Sequence, residues 1–450
     1  GLLLMSVDTY HPDYLLMKGD WRLCRDSFCG ETKVKKRGTI YLPKPNGFKA
    51  QSDDGEKAYE AYKLRAQFPE IMAPTVRGLV GTIHGAEWEI ELPTSLEYML
   101  DRATPDGQTL QTFARRVTSQ VLISGRFGIL ADVPQMGDAL PYLASYCGET
   151  IINWDEDSSL FVLDESDYFR DGFVWKYENK WRVLRIDPET GLYVQNLYES
   201  GGNAGDDIQP SARGGRPLNE IPFVIVGSKD LTPEPEEPPL IGVARAALAY
   251  YRLDADYRHQ LFYSGQETLF VINAEPPDYV GAGVVHKLEG AEGVEVDAKY
   301  VGPSGATIGA HKEARLDELD RAADAGARLF AQDGGANESG DARRMRYSSE
   351  TANLKTIAQT SAAGLERALK YCARLIGADE DEVIVRAPAK MLEPVMTGQE
   401  AKLLVEAWQA GGFSYETLHE NLKRGQLVPM DREAQDELRQ MDAADFVEET

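Results

Sequence analysis

From Val243 to Ser264 the chain runs for twenty-two residues without a glycine or a proline, and its apolar residues recur at helical spacing. A helix of that length is about 33 Å long, so the neighbouring segments must be arranged around a rod. Just before it, "LTPEPEEPPL" (231–240) clusters prolines with acids. Such a run continues neither helix nor sheet, so it reads as a stiff connector and as the main boundary in the chain. After the rod, residues 267–309 have β character and turn sequence ("AEPPDY", "GPSGA"), and "AHKEARLDELDRAADAGARLFA" (310–331) predicts a second helix of similar length. Short connections require the inserted module to begin and end near the same ends of the pair. Residues 241–265 and 310–331 are therefore expected side by side, with 267–309 projecting beyond them. Leu248, Tyr251 and Leu261 are expected to give the first helix a large, partly apolar face.

A third helix is predicted over 348–377, with Ser348 or Ser349 as N-cap and Gly377 as terminator. The segment leading into it, "AQDGGANESGDARRMRYSSE" (331–350), combines Gly334, Gly335 and Gly340 with Arg343, Arg344 and Arg346. Composition alone describes a solvated connection. Its place between two long helices describes something more specific, because the whole chain is acidic, with 48 Lys+Arg against 73 Asp+Glu and a net charge of −25.

Ahead of the connector the pattern is mixed. Helical spacing runs through 56–81 with a break at Pro69, "AEWEIELP" alternates like a short strand, and 109–126 is a helix followed by the buried strand "FGILADVP". Strand patterns dominate 151–227, where Trp154, Trp175 and Trp181 are expected to pack in the core. The fold class is therefore α+β. Beyond the third helix come a strand, "DEVIVRAP", two short helices around Gly411–Gly412, and an acidic tail from Asp431 with eight acids and two arginines.

At 450 residues the chain calls for two or more packing units, and 42% hydrophobic content supports a real core. No apolar run reaches about eighteen residues, and "GLLLM" lacks the basic flank of a signal peptide; a soluble, non-exported protein with no membrane partner is expected. Cys24, Cys29, Cys147 and Cys372 lack zinc-knuckle spacing and read as idle thiols. Nucleotide-binding, zinc-protease and serine-hydrolase motifs are missing, and the six histidines are scattered, so no cofactor, no metal and no catalytic residue are expected. One pattern offers an enzyme alternative. Pro277–Asp278, with Asp297 and Lys299 beyond it, has the loose spacing of a metal-dependent nuclease of PD-(D/E)xK type, in which two carboxylates hold Mg²⁺ and the lysine positions water. The same residues also suit a small β module. Strong acidity argues against tight clamping of nucleic acid, since phosphate binding relies on many lysines and arginines.

The order of parts resembles that of the portal proteins of tailed bacteriophages, the head-to-tail connectors. Local sequence is similar to one branch of that family, catalogued as a phage domain of unknown function. The likeness is carried by "HPDY" (11–14), "YLPKP" (41–45), "AYKLRAQFPEIMAPTVRGLVGTI" (61–83), "GRFGILADVP" (125–134), "IINW" (151–154), "IPFVIVG" (221–227), "PPL" (238–240) and "AGARLF" (325–330). The resemblance implies an α+β wing (1–236), a stem helix (237–266), a small α/β clip (267–309) and a second stem helix (310–331). It further implies a tunnel loop (332–348), a long wing helix with a return strand (349–395) and a helical crown (396–450). It implies a dodecameric ring at one capsid vertex of the virion, assembled in the host cytoplasm, through which double-stranded DNA passes non-specifically during packaging and ejection. Partners would be the terminase large subunit, the major capsid and scaffold proteins and a head-completion adaptor. On that reading Gly334, Gly335, Asn337, Arg343, Arg344 and Arg346 face DNA, and Glu275, Asp278, Tyr279, His286, Lys287 and Lys299 form the clip's docking surface. The acidic wall repels phosphate, and the arginines supply a few transient contacts at the constriction.

Overall fold

The computed structural model describes residues 6–49, 52–134, 139–199, 205–210, 216–265, 268–280, 286–302, 305–322, 325, 340–388, 398–412, 414–424 and 434–435. They fall in two compact units, residues 1–387 and 388–450.

The first unit opens with α1 (Pro12–Cys29), whose N-cap His11 accepts the amide of Asp13 on its ring while Pro12 occupies the first turn. There follow α2 (Glu31–Lys36), α3 (Asn46–Lys49), α4 (Ser52–Arg65), α5 (Met72–Ile83), β1 (Glu89–Glu91), α6 (Tyr98–Asp101) and α7 (Leu110–Ser124). Leu110, Phe113, Ala114, Val117 and Val121 make one buried stripe on α7, which starts at a Thr109 cap and stops at Gly125 in the left-handed region (φ 70°).

Seven of the strands come next: β2 (Arg126–Asp132), β3 (Tyr142–Cys147), β4 (Ile151–Trp154), β5 (Leu160–Asp164), β6 (Asp167–Asp171), β7 (Val174–Glu178) and β8 (Lys180–Ile186). Then follow β9 (Tyr193–Glu199) and β10 (Phe223–Gly227). They form a three-stranded sheet ordered β10-β2-β3, a four-stranded sheet ordered β4-β5-β8-β9, and the separate hairpin β6-β7, all with antiparallel neighbours. The central strand β2 is buried along its whole length, and its middle, residues 127–131, reads as a continuous apolar run between the buried Arg126 and Asp132.

Two long helices follow, α8 (Ile241–Ser264) and α9 (Ile308–Ala322), with β11 (Thr268–Ile272) and β12 (Asp297–Val301) between them. The thirty-seven-residue α10 (Gly340–Ile376) then returns across β10, β2 and α7, and β13 (Ile384–Arg386) pairs antiparallel with β1. Gly364 allows α10 to lie close on β10: a Cβ there would sit 2.4 Å from Cγ2 of Val226. Because α10 packs on β10, β2 and α7, the chain on both sides of the 231–240 connector belongs to one compact unit, where the sequence reads as a boundary. Arg126 ties the connector in. Its guanidinium is buried over the Trp154 ring (4.0 Å to the centroid) and donates to the carbonyl of Pro233 at 3.1 Å. Burial pushes its pKa down to about 9.

Of the three tryptophans expected in the core, Trp154 is buried and Trp181 half-buried, but Trp175 is 63% exposed. The runs "SLFVLDESDYF" and "GFVWKYENKWRVLRID" each break into two strands, and the inner pair, β6 and β7, leaves the four-stranded sheet. Strand alternation identified the β residues but not which sheet receives them. Of the residues expected on the partly apolar face of the first long helix, Tyr251 is buried, Leu248 half-buried and Leu261 exposed. Cys24 and Cys372 are buried and all four thiols are free.

The second unit contains α11 (Gly398–Gln409) and α12 (Tyr415–Arg424), with Gly411 in the left-handed region (φ 79°) between them and the Trp408 and Tyr415 rings 5.8 Å apart. The acidic tail from Asp431 lies almost wholly outside the described residues.

Candidate functional site

The long helices α8 and α9 are antiparallel neighbours, as one contact midway and one just beyond each end of α9 show. At one end a Cβ on Gly242 would sit 2.8 Å from Cβ of Ala325, so glycine is what lets the backbones approach. Midway, Arg315 on α9 donates to Asp254 on α8 and lies 4.1 Å from the Tyr257 ring centroid. At the far end, Thr307 donates to the Gln260 side chain at 3.2 Å. The inserted β module joins the two helices at this far end.

Asp254 is the anchor of the pair. It is fully buried, and besides Arg315 it accepts Arg258 Nε at 2.7 Å and the backbone amide of Gln67 at 2.7 Å. Two guanidiniums and an amide satisfy a carboxylate that would otherwise be costly to bury. Because Gln67 lies between α4 and α5, the same carboxylate fastens the helix pair to the N-terminal helices. Tyr62 to Asp256 (2.6 Å) and Arg252 to the carbonyl of Tyr41 (2.7 Å) reinforce that join. Only part of this is readable in sequence: Asp254 and Arg258 have the i,i+4 spacing of a helical ion pair, but Gln67 and Arg315 reach it across 187 and 61 positions.

The module itself is an antiparallel ribbon in which Thr268 faces Val301, Phe270 faces Lys299 and Ile272 faces Asp297. Where a small α/β unit is expected, its described residues are β only, up to the short 3-10 turn (Gly305–Thr307) that opens α9. Asn273 ends β11 in the left-handed region (φ 57°), and its side chain donates to the carbonyl of Glu295, closing the loop between the strands. A Cβ on Gly290 would be 2.5 Å from the Asn273 carbonyl oxygen, so that approach also requires glycine.

The proposed clip residues Glu275, Asp278, Tyr279, His286, Lys287 and Lys299 are all exposed on this module. Tyr279 and His286 are in ring contact at 5.5 Å, and Lys287 pairs with Glu289 at 2.7 Å. Asp297 and Lys299 share one face of β12, but that strand is exposed throughout, and Asp297 accepts the adjacent Ala298 amide. Among the described residues no three His, Cys, Asp or Glu side chains group as metal ligands. Among the described residues, the strand that carries Asp297 and Lys299 is open to water, unlike the dry, walled setting in which a bound metal activates water.

Gly334, Gly335 and Asn337 lie outside the described residues. Arg343, Arg344 and Arg346 do not sit on the loop: α10 begins at Gly340, eight residues before the expected cap at Ser348, and carries all three in its first turns. The reason is local. "DARRMR" is built from good helix formers behind an acid that suits the helix N-terminus, and Ser348 and Ser349 are accommodated inside the helix.

The helix pair, its ribbon and α10 coincide with a known sequence unit. Residues 239–376 match the family model "Domain of unknown function (DUF4055)". No curated protein matches the chain. Among solved structures, a chain from the neck of an empty GTA particle computed with C6 symmetry is 14% identical, with 79% of this chain and 90% of that chain covered and a TM-score of 0.42. A chain from the virion of a native gene transfer agent particle is 14% identical over 78% of this chain and 89% of that chain, with a TM-score of 0.41. The neck of the native GTA particle computed with C12 symmetry gives the same identity, coverage and TM-score. Among the described residues no helix is long and apolar enough to cross a membrane.

Proposed function

We propose that this chain is the portal subunit of a tailed phage or phage-like particle, a structural component without catalysis of its own. One observation carries the reading: an antiparallel helix pair, fastened to an α+β wing through Asp254, holds an exposed β ribbon at its far end. Copies arranged in a ring, twelve on this reading, would line a channel with α8 and α9 and present 267–309 at one mouth. The terminase large subunit would dock there during packaging, and a head-completion adaptor afterwards, while the wing would meet capsid or scaffold proteins. Duplex DNA would pass through without sequence readout. The net charge of −25 keeps the wall free of deep phosphate wells, and Arg343, Arg344 and Arg346 supply a local cluster of salt-sensitive contacts.

Deleting residues 275–300 tests the docking role. The shortened chain is expected to keep its wing fold, read by circular dichroism and thermal melting, and to lose binding to the packaging motor in a pull-down. Undiminished motor binding by the folded deletion variant would count against the assignment.

A further inference from the structure

The hairpin β6-β7 is the most exposed apolar element among the described residues. All ten of its strand residues face solvent, and Tyr168 (61%), Phe169 (43%), Val174 (60%), Trp175 (63%) and Tyr177 (57%) stand open around a fully exposed Phe173 at the turn. An isolated two-stranded hairpin is marginal in water, and no described residue of the chain buries this one. Its register puts Tyr168 opposite Tyr177 and Arg170 opposite Trp175, so one face carries two tyrosines, a tryptophan and an arginine. Those are the residue types that dominate binding energy at protein interfaces.

We infer that this hairpin is an arm that inserts into a second copy of this chain. Two quantities select that occupant. The six apolar side chains leave on the order of 700 Å² uncovered, larger than the patch a monomer usually tolerates and close to the roughly 800 Å² each partner gives to a stable interface. Arg170 forms no ion pair among the described residues, and the chain whose surface it would meet carries a net charge of −25, so the lone cation is complementary to another copy. Lys176, by contrast, is paired with Asp171 within the hairpin. An arm on one surface entering a different surface of the next copy is a head-to-tail contact, the kind that closes rings. The inference rests on the ring reading above.

The test places a photo-crosslinking residue at the turn (Phe173→p-benzoylphenylalanine) in the full chain and, separately, makes Phe173→Ser with Trp175→Ser. Irradiating the assembled protein is expected to give a crosslink between two copies of this chain, identified by peptide mass spectrometry. The double variant is expected to melt like wild type and to need at least ten-fold higher concentration to assemble. Wild-type assembly by the double variant, or crosslinks that reach only the same copy, would overturn the arm while leaving the ring standing. Crosslinking in intact particles to a different protein would overturn the choice of occupant. A wild-type chain that stays monomeric at every concentration would overturn the ring and the arm together.

Discussion

Replacing Asp254 by Asn removes one negative charge from between two guanidiniums while keeping nearly the same volume. The carboxylate is fully buried, Arg315 is 14% exposed at the side chain and Arg258 is 31% exposed, so Arg315 bears most of the loss and the Arg258 share is weakened by water. Breaking a buried pair by removing one partner costs about 3–5 kcal/mol, and the partial exposure of Arg258 puts the expectation near the lower figure, about 3 kcal/mol. A chain of this size need not unfold in one step, so a global melt is the wrong readout. Hydrogen exchange read by mass spectrometry on peptides from α8 and α9 is the right one: protection there should fall roughly 100-fold, while peptides from β2 and α7 stay unchanged. Adding Arg315→Met should restore part of the protection, because the orphaned cation goes with it. A fall of less than about three-fold in the Asn variant would refute the claim that this carboxylate fastens the helix pair to the N-terminal helices.

His84 gives a pH signature. It stacks on Trp88 and contacts the Thr118 hydroxyl at 3.0 Å, and burial, with nearby Arg115 adding to it, pushes its pKa down to about 4. The neutral ring is the folded form, so its contribution is intact above pH 6.5 and is lost as pH falls toward 4, by about 3 kcal/mol in all; His84→Gln should flatten the stability profile across that window. The depressed pKa of His259, caused by burial and then by Arg65, adds loss of the same sign in acid. Arg343→Ser, Arg344→Ser and Arg346→Ser together should leave assembly intact and impair the progress or retention of DNA during packaging; normal packaging and retention by the triple variant would remove DNA contact from their role.

Elements with one dominant period were legible in the sequence. The α8 rod, α7 and the buried β2 were all marked by residue spacing. What escaped depended on partners distant in sequence. Asp254 gives away Arg258 by spacing, but neither Arg315 nor the Gln67 amide can be read from neighbours. Trp175 alternates as a core strand residue does, and only the sheet topology shows that its strand has left the sheet. The start of α10 failed for a different reason: serines are good caps and tolerable interior residues, and the arginine-rich run before them favours helix on its own.

Electron cryomicroscopy of the assembled full-length chain tests the central claim most directly. A closed ring is predicted, with residues 241–264 and 308–322 lining a channel wide enough for a DNA duplex and the 268–301 ribbon at one mouth. A particle with those helices on its outer surface, or a chain that forms no closed ring, would contradict it.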